Sequence, residues 1–493
     1  MSRQATAGGF SIVEMQPQPR TVTAPTASSI SLQFDQPVNP ATVTSDTFWA
    51  FGRWSGTAAG NYTFSNNDQT VTLTPPHPFS AGEQVMVIIS NQIESASGTP
   101  LRSAGYSFQF WTKAAVSNME FEILDTLDTR TTPSEGTRAY GGTATDFNND
   151  GWLDLTIVNE DTADLRIFLN KADGTGLFND FLTPTTPVSF RASPNETSDF
   201  NRDGFADIAV LNIDASTVSI LLGNGDGTFA PQQQVNVGSE PRGIGILDVD
   251  GDGDTDIVNT NSGGSGNLSL LVNDGNGVFA APVYFEGGVT GEFSLIAADM
   301  NEDAILDLVI GARATATMAV SRGNGDGTFN FLASQSAGGA TWMINAGDVN
   351  GDGHEDIASA NSENSNGAIL IGDGMGNLQS PITVPIDPFA LATDLGDVDG
   401  DGDLDWITSS FSGNWILFLN NGGQQGGQQG TFTNLRNFES PQAASCSLFF
   451  DFDNDGDLDL ALIDEIADKV VLIKNGTTLP PLQEFIPFVS NEE

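Results

Sequence analysis

Basic residues are scarce in this chain of 493 residues. It has 17 lysines and arginines against 64 aspartates and glutamates, which gives a formal net charge of −47. Phosphate groups would be repelled by so negative a protein, so the composition argues against nucleic acid as a partner and against an anionic membrane surface.

Cysteine and long apolar runs are also nearly absent. The single Cys446 cannot form an intramolecular disulfide, and no apolar run approaches the roughly 20 residues that span a bilayer. The first 25 residues lack the continuous apolar segment of a signal peptide. We therefore expect neither a membrane span nor a signal peptide in this chain. Hydrophobic residues make up 39% of it, which is enough to form a globular core.

One acidic segment of nine residues recurs seven times in the sequence. The first aspartates of successive copies are 49 to 54 residues apart, and such a regular interval indicates a repeat architecture. The copies are DFNNDGWLD (146–154), DFNRDGFAD (199–207), DVDGDGDTD (248–256), DMNEDAILD (299–307), DVNGDGHED (348–356), DVDGDGDLD (397–405) and DFDNDGDLD (451–459).

Short apolar runs surround each acidic segment. Each repeat has about four such runs, rich in β-branched and aromatic residues and separated by Gly, Asn and Asp, and no segment has a helical period. Four strands in each of seven repeats predict an all-β chain with a seven-bladed β-propeller, whose ring arrangement protects the strand edges. We expect segment 119–127 to supply the outer strand of the last blade and so to close the ring.

Residues 1–113 do not carry the repeat. Their alternating apolar residues and their turn signals every 8–12 residues predict a small β-sandwich. The predicted domains are therefore 1–113, a sandwich with a short N-terminal extension, 114–478, the propeller, and 479–493, a C-terminal tail.

The acidic segments have the composition of calcium loops. Oxygen-bearing side chains occupy positions 1, 3, 5 and 9, which can point together into a tight loop, and the backbone carbonyl at position 7 can add a further ligand. The predicted side-chain ligands are Asp146, Asn148, Asp150 and Asp154; Asp199, Asn201, Asp203 and Asp207; Asp248, Asp250, Asp252 and Asp256; Asp299, Asn301, Asp303 and Asp307; Asp348, Asn350, Asp352 and Asp356; Asp397, Asp399, Asp401 and Asp405; and Asp451, Asp453, Asp455 and Asp459. The predicted carbonyl ligands are those of Trp152, Phe205, Asp254, Ile305, His354, Asp403 and Asp457.

Hard oxygen ligands without Cys or His side chains favour Ca²⁺ over transition metals, and flexible loops favour it over Mg²⁺. We expect about seven Ca²⁺ sites. The alternative is that the segments are only polar turns, but several carboxylates within nine residues repel each other unless a cation neutralises them. The fourth loop is the weakest candidate, because Ala304 replaces the glycine at position 6, but we expect it to bind calcium as well.

The repeats resemble the FG-GAP/VCBS repeats of integrin α-subunit propellers, fungal propeller lectins and secreted bacterial proteins. The resemblance covers about residues 118–476 and implies Ca²⁺ between the first two strands of each blade. Residues 10–113 are similar to a bacterial Ig-like domain of surface-layer and secreted proteins, through SLQFDQPVNPATV, VTLTPPHPFSAGEQVMVII and ASGTPLRSAGYSFQF. Together the two resemblances imply an extracellular or cell-surface protein.

The expected function is therefore a non-enzymatic one, in calcium-dependent adhesion, recognition or surface structure. Its expected partner is a protein or glycan on a cell surface or matrix, and self-assembly is an open alternative. A carbohydrate-binding lectin and a calcium-dependent polysaccharide lyase are the other two hypotheses. The two histidines, His77 and His354, form no nucleophile–base pair with Cys446 that the sequence would identify.

Three arginines form a candidate ligand site. Arg138, Arg191 and Arg242 precede their acidic loops by eight, eight and six residues, and Trp342 and Phe389 hold the corresponding places in later repeats. Arginines beside aromatic rings, near the channel mouth opposite the calcium loops, can bind an acidic sugar or a carboxylate-bearing peptide. The alternative is that each arginine pairs with a nearby acid, such as Glu240 for Arg242.

Overall fold

The protein consists almost entirely of β-strands. A computed structural model describes residues 9–263, 267–422 and 430–476. Within these ranges, 36 strands form nine four-stranded sheets, and one 3-10 turn spans Pro40–Thr42. The all-β prediction is confirmed. The predicted tail 479–493 and the start of the N-terminal extension lie outside the described residues, and no helix in the described part is long and apolar enough to cross a membrane.

Two of the sheets form the N-terminal unit, called here the sandwich. Their strand orders are β1-β2-β6-β5 and β4-β3-β7-β8. Alternate residues of both sheets, such as Leu32 and Val87, are fully buried in a shared core. The strands are β1 (Ile12–Gln16), β2 (Ile30–Phe34), β3 (Phe48–Gly52), β4 (Gly56–Ala58), β5 (Tyr62–Ser65), β6 (Thr70–Leu73), β7 (Gln84–Ile89) and β8 (Tyr106–Trp111).

The seven repeats each form one four-stranded antiparallel sheet, called here a blade. The first six blades take their strands in chain order, and the seventh recruits β9 (Glu122–Asp128) from before the first repeat. Blades 1 to 3 contain β10 (Ala139–Thr145), β11 (Asp154–Asn159), β12 (Asp164–Phe168) and β13 (Thr186–Pro187); β14 (Ala192–Ser198), β15 (Asp207–Asn212), β16 (Thr217–Leu221) and β17 (Gln233–Asn236); and β18 (Pro241–Leu247), β19 (Asp256–Asn261), β20 (Asn267–Leu271) and β21 (Val283–Phe285).

The remaining four blades repeat this arrangement. Blades 4 and 5 contain β22 (Glu292–Ala298), β23 (Asp307–Ala312), β24 (Thr317–Gly323) and β25 (Phe329–Ser336); and β26 (Thr341–Gly347), β27 (Asp356–Asn361), β28 (Asn366–Leu370) and β29 (Ile382–Pro385). Blades 6 and 7 contain β30 (Ala390–Gly396), β31 (Asp405–Ser410), β32 (Trp415–Asn420) and β33 (Phe432–Phe438); and β34 (Ala444–Phe450), β35 (Asp459–Asp464), β36 (Lys469–Lys474) and β9.

The blades form a closed ring. The first strand of each blade packs beside the first strand of the next, and β34 of the last blade packs beside β10 of the first. Strand β9 pairs antiparallel with β36, with Leu127 opposite Val470. The expectation that segment 119–127 supplies the outer strand of the last blade is thereby confirmed. This pairing covers the free edge of β36, which would otherwise be open to another chain.

The second sheet of the sandwich packs on the propeller. Strand β3 is buried along its whole length: Phe48 and Ala50 face the sandwich core, and Trp49 and Phe51 join a core cluster of the blades. Strand β7 divides its residues in the same way, with Met86 and Ile88 towards the blades. Continuous apolar runs are typical of strands that are covered on both faces, and this explains why these two strands lack polar alternation.

Strand β9 offers a matched test of ring closure. Leu127 is 8% exposed and packs in the core cluster of blade 7, whereas Ile123, on the same strand, is 69% exposed. We expect Leu127→Ala to lower the free energy of unfolding by about 2 to 5 kcal/mol. Ile123→Ala is expected to change it by no more than about 0.5 kcal/mol. Thermal unfolding of both variants measures the difference, and equal melting temperatures would contradict the role of β9.

Candidate metal centre

Each acidic segment forms the turn between the first two strands of its blade. The turns are called loops 1 to 7 after their blades. The first aspartate of each segment follows the innermost strand, and the ninth is the first residue of the second strand, as Asp154 is in β11. Because the blades share one orientation in the ring, all seven loops lie on the same face of the propeller.

The ninth aspartate holds each loop to its blade. In loop 1, the carboxylate of Asp154 accepts hydrogen bonds from the backbone N–H of Phe147 at 3.1 Å and of Asn170 at 2.9 Å. The equivalent aspartate in each other loop accepts the same two bonds, from position 2 of the loop and from the end of the third strand. Its carboxylate therefore fixes the loop as well as facing its interior.

The first and fifth residues shape the turn itself. In all seven loops, a carboxylate oxygen of the first aspartate accepts the N–H of position 6, at 2.7 to 3.0 Å. The fifth aspartate accepts the N–H of position 7, which is an Asx turn. Position 6 has a positive φ in every loop, 58° at Ala304 and 83° to 98° at the six glycines.

Three loops bring three carboxylates together. One oxygen each from the aspartates at positions 1, 3 and 9 lies within 4.8 Å of the other two in loops 3, 6 and 7. These are the three loops in which position 3 is aspartate; in the other four it is asparagine. The clusters are Asp248, Asp250 and Asp256; Asp397, Asp399 and Asp405; and Asp451, Asp453 and Asp459. The aspartates at position 5 are not part of these clusters.

The loops with clusters have the donor groups that Ca²⁺ needs. Among the described residues, Oδ1 of Asp397, Oδ1 of Asp453 and Oδ1 of Asp457 are buried without a hydrogen-bond partner. A buried carboxylate oxygen without a partner is costly, and a hard cation coordinated by several such oxygens removes that cost. These residues therefore fit Ca²⁺.

Burial makes these carboxylates difficult to ionise. It raises the pKa of the ninth aspartate to about 8 in Asp154, Asp207, Asp307 and Asp356, and neighbouring carboxylates add to the rise. Burial and neighbouring charge also raise the pKa of the first aspartate to about 7 in loops 3, 6 and 7. Protons or a metal cation must therefore offset the charge of these loops at neutral pH.

The sandwich covers the loop face of the ring. Trp49 Nε1 donates to the carbonyl of Gly253 at 2.9 Å, and Arg102 donates to the carbonyls of Asp303 and Ala304, each at 2.7 Å. Together with the linker that follows it, the sandwich contacts every loop. The hydrogen bonds to the other five loops join Trp54 to Asp146, Thr57 to Asp199, Arg20 to Gly353, Ser117 to Asp399 and Ala115 to Gly456. The repeat pattern does not predict this contact, although the two-sided apolar runs of β3 and β7 are a signal for it.

The four predicted ligand residues lie at two levels of the channel. Arg138 and Arg191 stand at its outer end, where Arg138 pairs with Glu465 and Glu160, and Arg191 lies 3.7 Å from Glu160. Arg242 and Trp342 lie two residues further along their strands and line the cavity within the ring. Burial raises the pKa of Glu160, and the charges of Arg138, Arg191 and Arg242 oppose that rise, so the three arginines lie near one buried acid. Their binding of a ligand stays a prediction.

The cavity occupies the channel and has a volume of about 210 Å³. The innermost strands of all seven blades form its wall, and Phe51, Arg53 and Met86 of the sandwich close one end. At that end Arg53 Nη1 lies 3.0 Å from Oδ1 of Asp394. At the other end Trp342 Nε1 donates to the hydroxyl of Tyr140 at 3.0 Å, from blade 5 to blade 1.

Two sequence families match this chain. The family described as FG-GAP-like repeat matches residues 199–259, 248–310, 303–359, 348–408 and 397–462. The chain belongs to the FG-GAP-like repeat family. Residues 7–112 of this FG-GAP-like protein match the bacterial Ig-like domain. Both modules are typical of surface or extracellular proteins that are not enzymes, and FG-GAP-like repeats are typical of propellers with a recognition role.

Several solved structures are similar to this FG-GAP-like protein at low identity. BBS1N, in a complex with ARL6DN, is 13% identical with a TM-score of 0.49, over 72% of this chain and 98% of that one. A lectin of Agrocybe aegerita, described as recognising non-reducing terminal N-acetylglucosamine, is 17% identical with a TM-score of 0.41, over 87% and 99%. A Lactobacillus plantarum protein is 12% identical with a TM-score of 0.44, over 85% and 99%. No curated protein matches the chain. Likeness at this level carries no argument about this chain.

The raised pKa values predict how stability depends on pH. The folded pKa of four ninth aspartates, Asp154, Asp207, Asp307 and Asp356, is about 8, against an ordinary value of 3.8, so the folded protein binds these protons more tightly than the unfolded chain does. We expect protein depleted of divalent cations to lose this stability as the pH rises from about 4 to 8. Calcium should reduce the loss, because it favours the ionised carboxylates. Melting temperatures at several pH values test this, and identical profiles with and without calcium would contradict it.

Proposed function

We propose that this protein is an extracellular calcium-binding module for adhesion, recognition or surface structure. In this proposal Ca²⁺ stiffens the loops of the propeller, and the Ig-like sandwich, residues 1–113, precedes a propeller of residues 114–478. The observation that carries the proposal is the convergence of three carboxylates, at least two of them buried, in each of loops 3, 6 and 7. Ordinary polar turns do not require such buried, partly unpartnered acids.

The chain's own residues prepare the loops for the ion. The predicted side chains at positions 1, 3, 5 and 9 would hold it, and those at positions 1, 3 and 9 converge in loops 3, 6 and 7. Backbone N–H groups keep the first and ninth carboxylates in place. The bound cation would supply charge neutralisation, and it would leave the loop carbonyls fixed where the sandwich meets them. Extracellular modules have calcium affinities of about 10⁻⁴ to 10⁻³ M, which suits an extracellular location.

The coverage of the loop face restricts where a partner binds. The sandwich occupies the face that carries the loops, so we place the partner surface on the opposite mouth of the channel and on the outer blade strands. A protein or glycan of a cell surface or matrix is the proposed partner, and self-assembly through the same surface is the alternative.

Calcium removal tests the metal part of the proposal. We expect a chelator to lower the melting temperature of the wild-type protein, because each site filled at ten times its dissociation constant adds roughly 1.4 kcal/mol. Asp399→Asn in loop 6 should weaken this calcium effect. Asp180→Asn removes the same charge at an exposed position outside the loops and should leave it unchanged. Protein that contains no calcium after equilibration with millimolar Ca²⁺ would contradict the proposal.

A carbohydrate-binding role is the second candidate, and the cavity favours it. At roughly 30 Å³ for each water, 210 Å³ holds about seven waters or one small ligand. Arg242 stacks on Phe293 and Trp342, at 5.2 and 5.9 Å, and its Nε is buried without a hydrogen-bond partner in the described part of the chain. A guanidinium beside aromatic rings suits a sugar that carries a carboxylate.

Arg313 provides a matched control for this candidate. Its guanidinium stacks on the same Phe293 and Trp342, at 5.5 and 4.8 Å, but it does not line the cavity. We expect wild-type protein to bind glucuronate more tightly than glucose in titration calorimetry. Arg242→Gln should weaken glucuronate binding about tenfold or more, and Arg313→Gln should not. Equal binding by the two variants would exclude Arg242 as the carboxylate ligand.

A further inference from the structure

We infer that loop 4 binds no calcium, because two arginines offset most of its negative charge from within the protein. This inference rests on the proposed calcium binding of the other loops. Loop 4 has three carboxylates among its predicted ligands, those of Asp299, Asp303 and Asp307, with Asn301 at position 3. Donor groups of the protein bind each of the three carboxylates, and Asn301 is one of these donors.

Arg322 contacts the aspartate at position 5. Its Nη2 lies 3.3 Å from Oδ2 of Asp303. Arg322 belongs to β24 and immediately precedes Gly323, whose N–H binds the ninth aspartate of the loop. Five blades have an apolar residue at this place, namely Leu169, Leu222, Val272, Ile371 and Leu419. A cation at this place is therefore a departure from the repeat and not one of its general features.

Arg20 contacts the aspartate at position 1. It comes from the sandwich, and its Nη1 lies 3.5 Å from Oδ2 of Asp299. The two side chains are only 14% and 6% exposed, so solvent screens this pair weakly. The Nε of Arg20 donates to the carbonyl of Gly353 at 2.7 Å, which holds the guanidinium between loops 4 and 5.

Asn301 turns its amide group towards the ninth aspartate. Its Nδ2 donates to both carboxylate oxygens of Asp307, at 3.1 and 3.0 Å. In loops 1 and 5, by contrast, the side-chain oxygen of the asparagine at this position accepts a backbone N–H of its own loop. In loop 4, therefore, the amide N–H group of Asn301 points at the carboxylate of Asp307. To coordinate a metal ion, Asn301 would have to present its amide oxygen instead.

The turn of loop 4 is also held from outside. Ala304 has a φ of 58° where the other loops have glycine, and its carbonyl accepts a hydrogen bond from Arg102 of the sandwich. Three carboxylates thus face the two guanidiniums of Arg20 and Arg322. Among the described residues, no ion pair reaches the equivalent carboxylates of loop 5, which Arg20 contacts only at the carbonyl of Gly353. A calcium ion in loop 4 would be repelled by both guanidiniums.

In loop 7, one basic residue contacts the carboxylates without dispersing their cluster. Lys474 occupies the place of Arg322 and contacts Asp453 and, at 3.4 Å, Asp455. Loop 7 nevertheless retains its cluster of three carboxylates and the unpartnered oxygens Oδ1 of Asp453 and Oδ1 of Asp457. We therefore restrict the inference to loop 4, where arginines reach both Asp299 and Asp303.

The experiment compares position 5 in two neighbouring loops. Asp303→Asn changes loop 4 and Asp352→Asn changes loop 5. Both substitutions remove one negative charge and keep the shape of the side chain. Native mass spectrometry at a limiting calcium concentration, about 10⁻⁴ M, counts the bound ions. We expect Asp352→Asn to lose one calcium ion relative to wild type and Asp303→Asn to lose none.

Melting temperatures give a second readout that does not depend on counting ions. Asp303→Asn breaks a pair between two side chains, so it should lower the melting temperature equally with calcium and with chelator. Asp352→Asn should lower it only with calcium. Loss of one calcium ion in Asp303→Asn, from a wild type that binds calcium, overturns this inference and leaves the proposed function standing. A wild type that binds no calcium overturns both.

Discussion

Mutual repulsion among buried carboxylates is the constraint on which the rest of this structure depends. Seven loops, each with at least three aspartates among the predicted ligands, meet on one face of a protein whose formal charge is −47. Backbone N–H groups hold the first and ninth aspartates in every loop, but they do not neutralise the charge. The remaining charge is offset differently from loop to loop. Arginines offset it in loop 4, Lys474 offsets part of it in loop 7 and Arg202 part of it in loop 3, and the proposed calcium does so in all loops except loop 4.

The sandwich is part of the same arrangement. It contacts the loops mainly through their backbone carbonyls, such as those of Gly253, Asp303 and Gly353, whose directions depend on the shape of each turn. Its apolar residues Trp49 and Met86 bury the centre of that face, and Arg53 enters the channel beside Asp394. The stability of the loops and the position of the sandwich are therefore coupled properties of one interface.

The sequence allowed much of the fold to be predicted, because the information is local. Strand runs and acidic turns recur within each 50-residue repeat, and the register of segment 119–127 identified the strand that closes the ring. The coverage of the loop face was missed, since Trp49 and Gly253 are 204 residues apart in the chain. The sequence also could not show that the side chains at positions 1, 3 and 9 converge while the aspartate at position 5 does not, because Asp is suited both to Asx turns and to calcium sites. The sequence did contain a signal for the role of Arg322, because it is a basic residue at a repeat position that is apolar in five of the seven blades.

Ring closure by β9 has a consequence for folding during synthesis. Asp128 of β9 pairs with Lys469, which is 341 residues later in the chain. At about 5 to 20 residues per second, β9 leaves the ribosome roughly 17 to 70 s before its partner strand exists. During that interval it is an unpaired edge strand, and its acidic residues Glu122, Asp125 and Asp128 discourage pairing with other chains. The earliest part of the propeller to be made is thus among the last to be fixed in place.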